Sequence, residues 1–239
     1  MMNRTLAVMS GALALGTTIV LAGGNHAHRR VQVTFSEARI FFEYNSSEQN
    51  MGIQIFFDGE WTEVEIRDPK GRVIFETETQ GKLKKVGGAE VRFESVEPAF
   101  DPTNPALFKK FPAGLYTFKG QTVDGGKLKS TVMLSHELPA PPTIGSATLT
   151  EIKWTWTQGV LSPFQAGLAG FQVIVEIVLN DSAARSLTVD LPPSATSLKI
   201  APEFLEDLET GAGIVFEVLA IGDNRNRTIT QGVLQEPGP

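Results

Sequence analysis

Carboxylates are the groups in this chain best suited to chemistry. Glu63 with Glu65, Glu76 with Glu78, and Glu94 with Glu97 stand two or three residues apart. Two carboxyl groups across a cleft, one of them still protonated, would suit glycoside hydrolysis. These pairs instead alternate with apolar residues. That places them on outward strand faces, where they serve solubility and edge protection. A second set, Glu43, Asn45, Asp58 and Glu60, flanks one expected turn between adjacent strands. Hard oxygen donors gathered there suit calcium. No Asp-x-Asp-x-Asp run supports that reading, and ordinary turn residues are the alternative. No other cofactor is expected.

The remaining chemistry is sparse. Histidine occurs three times and cysteine not at all, so disulfides, thiolate metal sites and cysteine nucleophiles are excluded. His136 precedes Glu137, but no second histidine completes a zinc-protease helix, and Pro139 would break one. His26 and His28 fall in a polar stretch near the N-terminus; a cut before Asn25 would leave them able to bind copper or nickel weakly. Neither a Gly-x-Ser-x-Gly elbow nor a Ser-x-x-Lys pair occurs. No catalytic residue is assigned, and the chain reads as a non-enzyme. Three aromatic residues are candidate partner contacts. Alternation with Val64 and Ile66 turns Trp61 outward, where an indole can stack on a sugar or anchor a protein. Phe108 and Phe111 lie in Pro98 to Pro112, the longest stretch without a strand pattern. That stretch is either a ligand-gripping loop or a crossover tucking its aromatics onto the core, with a short helical turn at Ala106 to Lys110.

The elements that must position these groups are strands. Ile40, Phe42 and Tyr44 share one face, then Ile53, Ile55 and Phe57. After Asp58-Gly59, Val64 and Ile66 alternate with Glu63, Glu65 and Arg67. Asp68-Pro69-Lys70-Gly71 is a turn sequence, because proline pre-sets φ and glycine accepts positive φ. Leu115 to Phe118 and Leu128 to Leu134 form a hairpin through Asp124-Gly125-Gly126. Short strands of this kind, apolar on one face and charged on the other, predict an all-β chain. Its architecture is two tandem antiparallel sandwiches. The expected divisions are a signal peptide over 1–24, a first sandwich over 25–136, a Pro-rich linker over 137–142, and a second sandwich over 143–239. Consecutive prolines make that linker an extended, semi-stiff spacer.

With 21 basic and 27 acidic residues the formal charge is −6, which argues against a nucleic-acid partner. Lys82, Lys84 and Lys85 read as a solvated hairpin tip. Arg4, then the uncharged run Leu6 to Leu21, then Ala22, Gly23 and Gly24 have the order of a secretory signal. Gly stands where a lipoprotein box would place its acylated cysteine. The expectation is an exported protein, periplasmic or secreted, with no stable membrane span after cleavage.

Ile152, Trp154 and Trp156, then Gly170-Phe171-Gln172-Val173, then Leu208, Gly211, Ile214, Phe216, Val218 and Ala220, resemble the fibronectin type III family. Ile214 stands where that family has its corner tyrosine. Gly114-Leu115-Tyr116-Thr117-Phe118 resembles a penultimate strand of bacterial immunoglobulin-like modules, with Tyr116 in the corner position. These resemblances imply a non-catalytic binding or structural module that recognises a protein or glycan of the cell envelope. The alternatives are a calcium-dependent adhesion module and, further off, a hydrolase or its accessory module.

Overall fold

Alternating sequence becomes paired strand in fifteen segments of the computed structural model, which describes residues 32–103, 105–179 and 182–236. The expected signal peptide, His26 and His28 lie outside the described residues. In chain order the strands are β1 (Gln32–Val33), β2 (Glu37–Asn45), β3 (Asn50–Trp61), β4 (Glu63–Arg67), β5 (Val73–Glu78), β6 (Gly88–Glu94), β7 (Gly114–Gln121) and β8 (Lys127–Leu134). After the Pro-rich segment come β9 (Thr143–Ala147), β10 (Glu151–Thr155), β11 (Leu168–Leu179), β12 (Ser182–Leu191), β13 (Ser197–Lys199), β14 (Gly213–Gly222) and β15 (Arg227–Gln235). One short helix, α1 (Ala106–Lys110), sits in the Pro98 to Pro112 crossover. No described helix is long and apolar enough to cross a membrane.

The strands form three sheets, and the chain is an all-β sandwich protein. Two small sheets, ordered β1-β8-β7-β4-β5 and β13-β10-β9, each cover part of one seven-stranded sheet ordered β12-β11-β14-β15-β2-β3-β6. Two apolar cores result. Ile40, Phe42, Ile53, Ile55, Phe57, Val64, Ile66, Tyr116 and Phe118 fill the first. Ile152, Trp154, Phe171, Val173, Val175, Ile214, Phe216 and Val218 fill the second. Trp154 is the indole enclosed there, with its ring edge against Phe171. Tyr116 is fully buried and its hydroxyl donates to the Pro112 carbonyl, 3.0 Å away, which clamps the corner ahead of β7.

The seven-stranded sheet joins the two halves. β15 pairs with β2 in parallel, Arg227 opposite Glu43, Thr228 opposite Tyr44 and Ile229 opposite Asn45. The expected spacer is packed into this junction: Leu138 is fully buried, and Pro139, Ala140 and Pro142 are buried beside it. Prolines 139, 141 and 142 carry no N–H, so the segment cannot join a ladder as a donor and its carbonyls need outside partners. Alternate residues of the β15 segment supply them. Asn226 Nδ2 donates to the Ser135 and Glu137 carbonyls at 2.9 and 2.6 Å, Thr228 Oγ1 to Pro139 at 2.7 Å, and Thr230 Oγ1 to Pro142 at 2.8 Å. The Trp156 indole donates to Ala140 at 2.7 Å and the Ala166 amide to Leu138 at 3.1 Å. Asn226 also accepts the Phe42 N–H through Oδ1 at 2.8 Å, so one fully buried amide ties β2, the strap and β15 together.

Truncating that amide leaves one N–H and two carbonyls buried with fewer partners, each worth about 1–3 kcal/mol. Asn226→Ala is therefore expected to destabilise the chain by about 3 kcal/mol or more in urea unfolding. The Phe42 amide is expected to lose its protection from hydrogen exchange. An unchanged urea midpoint would contradict the clamp.

Candidate binding groove

Strand alternation gives β2 and β15 two working faces. On β2, Ile40, Phe42 and Tyr44 enter the first core, while Arg39, Phe41, Glu43 and Asn45 face away. On β15, Thr228 and Thr230 cap the strap, while Arg227, Ile229 and Gln231 face away. The outward residues of β6, β3, β2, β15, β14 and β11 line one groove of about 1360 Å³ that crosses the junction between the two cores.

Its floor is apolar. Ile174, Leu219 and Ile229 form a cluster of their own, 2–7 % exposed, although they lie on the face no second sheet covers. At one end guanidinium groups lie over aromatic rings. Arg39 and Arg92 both cover Phe56, at 4.5 and 5.2 Å, and Arg227 covers Phe41 at 4.8 Å. These contacts explain how Phe41 and Phe56 are buried on an outer face. Gln172 is 5 % exposed; its Nε2 donates to Asp190 at 2.8 Å, while Oε1 has no hydrogen-bond partner.

Carboxylates dominate the rest of the groove. Arg39 pairs with Glu37 at 2.9 Å and Arg227 approaches Glu43 at 3.6 Å. Among the described residues no cation pairs with Glu97, Glu176 or Glu217. Burial pushes Glu217 up to about 7, helped by Glu43, Glu176 and Glu48 and opposed by the hydrogen bond from Gln231. Burial likewise pushes Glu97 up to about 7, with Glu43, Glu94, Glu48 and Glu217 adding repulsion. Glu43 rises through burial despite Arg227 and Gln54, and Glu176 rises through burial despite Ser186.

The residues singled out from sequence end up in different places. Trp61 is in the core rather than on the outer face. A register shift between Asp58 and Trp61 in the β3–β6 pairing, with Gly59 at φ 151°, reverses the alternation and turns the indole inward. Its ring then lies where a Cβ on Gly88 would come within 2.5 Å of it. The four calcium candidates are divided. Asp58-Gly59 is a bulge within β3 rather than a turn, and the β2–β3 hairpin reverses near Ser46 to Gln49. Glu43 is opposite Gly52 and Asp58 opposite Glu37, so the two ends of the set are about 20 Å apart along β3. Phe108 is buried and stacks on the His136 imidazole at 4.2 Å, and Phe111 packs partly buried on the first core. The crossover is a core element, and His136 bonds the Phe111 carbonyl at 2.8 Å. Lys82, Lys84 and Lys85 lie exposed in a 3-10 turn, Gly81–Lys85. Sequence reading missed the groove itself. Its signal was the outward triplet Ile174, Leu219 and Ile229, apolar where a solvated sheet face should be polar.

No protein-family model matches the chain. A search of curated proteins also matches nothing. Solved structures do match. The FN1–FN3 domains of chicken CNTN1 align at 11 % identity and TM-score 0.30 over 87 % of this chain and 68 % of that one. A segment of two fibronectin type III domains from chicken tenascin aligns at 10 % identity and TM-score 0.29 over 83 % of this chain and 97 % of that one. The structural neighbours are thus fibronectin type III domain proteins. The all-β sandwich class rests on the strand pairing itself.

A carboxyl group raised in the folded chain binds its proton between the ordinary value near 4.5 and its own value near 7, where the unfolded chain has already released it. Unfolding then becomes easier as pH rises across that window and levels off above it. The melting temperature is expected to climb from pH 8 to pH 5. Glu97→Gln and Glu217→Gln are each expected to flatten this slope and raise the melting temperature at pH 8. A wild-type melting temperature that falls over the same range would contradict the groove electrostatics.

Proposed function

We propose that this chain is an exported, non-catalytic binding module whose ligand surface is the groove on the outer face of the seven-stranded sheet. The observation that carries the reading is a buried apolar floor, Ile174, Leu219 and Ile229, on a face without a covering sheet, walled by carboxylates without cationic partners. An apolar floor with ionic walls suits a protein segment better than a sugar ring, because the outward rings of Phe41 and Phe56 are already covered by Arg39, Arg92 and Arg227. The partner is an envelope protein presenting a segment that alternates basic and apolar residues. Its ammonium groups meet Glu176 and Glu217, its apolar side chains cover the floor, and a backbone N–H meets the free Gln172 Oε1. Export rests on the N-terminal sequence order.

A hydrolase reading draws on Glu97 and Glu217, because carboxyl groups raised toward neutrality mark many catalytic sites. Glycoside hydrolysis needs the two values driven apart, one acid and one base. Here burial pushes Glu43, Glu97, Glu176 and Glu217 the same way, and no pair of them is driven apart.

The test is a methyl NMR titration with a short peptide alternating Lys and Ile and its counterpart alternating Glu and Ile. The Lys peptide is expected to shift the Ile174, Leu219 and Ile229 methyls, with affinity falling as salt rises. Glu217→Lys is expected to abolish the shifts, and Glu63→Lys on the distant β4 to leave them. Equal binding of both peptides, or methyl shifts with oligosaccharides alone, would overturn the protein-partner reading.

A further inference from the structure

At the β6 end of the groove three carboxylates meet around a glycine. Glu43 of β2 is opposite Gly52 of β3, and Glu94 of β6 is opposite Gln54, the next outward residue. Glu97 folds back over Gly52, its Cγ 3.1 Å from where a Cβ would stand. One carboxylate oxygen from each of Glu43, Glu94 and Glu97 lies within 4.8 Å of the others. Oxygens bound to one hard cation at about 2.4 Å are at most about 4.8 Å apart, so this spacing matches a shared coordination sphere.

A separate observation concerns Asn50, the outward residue of β3 next before Gly52. It is 7 % exposed, and its Oδ1 is buried with no hydrogen-bond partner. The orientation of the amide follows from chemistry. Its Nδ2 donates at 2.8 Å to the Glu48 carboxylate, which can only accept. Glu48, which holds the amide, lines the same groove as Glu97 and adds to the repulsion on it. Met51, Ile53 and Ile55 point into the core, and Asn50 is opposite Asn45, which lines the groove, so strand alternation puts Asn50 on the carboxylate face with Gly52 and Gln54. A buried carbonyl oxygen without a donor is costly unless a positive group meets it.

We infer that Glu43, Glu94, Glu97 and the Asn50 side-chain oxygen hold one divalent cation of the hard, oxygen-preferring class, calcium foremost. Three carboxylates and an amide carbonyl are the ligand types such ions select, and the exposed Glu94 leaves one side open to water. Of the four residues singled out from sequence for calcium, Glu43 alone belongs to this set. The site does not depend on what occupies the groove floor: it uses none of Ile174, Leu219, Ile229 or Gln172. A cation there neutralises the carboxylates that repel one another and ties β2, β3 and the segment after β6 together.

The experiment is calorimetric titration of the full chain at pH 8 with calcium chloride alone, then with magnesium and manganese chlorides, paired with melting curves. One ion per chain and a rise in melting temperature are expected, with affinity falling as pH drops toward 6 because protons compete for the same oxygens. Glu97→Gln and Asn50→Ala are each expected to weaken binding about 10-fold or more. Glu63→Gln is expected to bind as the parent does. Removing a charge from a crowded carboxylate group relieves repulsion, so Glu97→Gln is expected to remain folded, which its metal-free melting curve checks. No heat and no melting shift with any of the three salts at about 5 mM would overturn the assignment. So would binding that survives both substitutions.

Discussion

The structure depends on the burial of a segment that cannot donate its own hydrogen bonds. Residues 135–142 run between the two cores, and three of the eight are prolines. Placed in solvent, such a segment would be a spacer and the halves would sit apart. Placed inside, each carbonyl becomes a liability unless a donor reaches it. Side chains do so: Asn226 just ahead of β15, Thr228 and Thr230 within it, and Trp156 from beyond β10. The Asn226 and Thr228 bonds are enclosed, where an unmade bond is most costly. The spacing of the β15 donors is the period of a strand, so the same alternation that builds the sheet meters out the caps.

That arrangement has a geometric consequence. Once β15 is held against the strap, its free edge meets β2, and the parallel pairing over Arg227 to Ile229 makes one sheet of two. Ser46 reinforces the seam, its amide and hydroxyl both donating to the Ile229 carbonyl at 2.8 and 2.7 Å. The groove follows directly. Its floor comes from β11, β14 and β15 and its Glu97 wall from the first half, so neither sandwich could make it alone.

The strand pattern and the core faces were legible in the sequence because period-two alternation is a local signal. Ile40, Phe42, Tyr44, Val64, Ile66 and the second-half residues around Trp154 lie where that alternation puts them. Three features were not legible, each for a physical reason. The bulge before Trp61 inserts residues into one strand, and every face assignment beyond it flips while composition stays the same. The turn that separates Glu43 from Asp58 sits at Ser46 to Gln49, a polar run less conspicuous than Asp58-Gly59. The β15–β2 pairing joins residues more than 180 positions apart, and a proline run argues for separation unless one knows that its carbonyls will be capped. The groove inherits this last difficulty. Its walls come from both halves, and no window of sequence contains them.

The groove is also where the chain departs from its own rules. Elsewhere charge is placed economically: Asp68 would be raised by burial, but the Arg72 and Lys70 amides and the Arg72 guanidinium outweigh that and hold it below the ordinary range. Surface pairs such as Arg67 with Glu65 and Lys153 with Glu151 are matched along single strands. In the groove the logic reverses. Glu97, Glu176 and Glu217 are drawn out of solvent without cations, and the arginines nearby are committed to Phe41, Phe56 and Glu37. Folding alone gains nothing from this, since burial and mutual repulsion both work against the ionised groups. Local consistency that fails at one place, in a sequence otherwise consistent, is the physical mark of a surface shaped for something other than its own stability. The missing positive charge is the complement that the groove lacks, and a cationic ligand of the kind proposed would supply it.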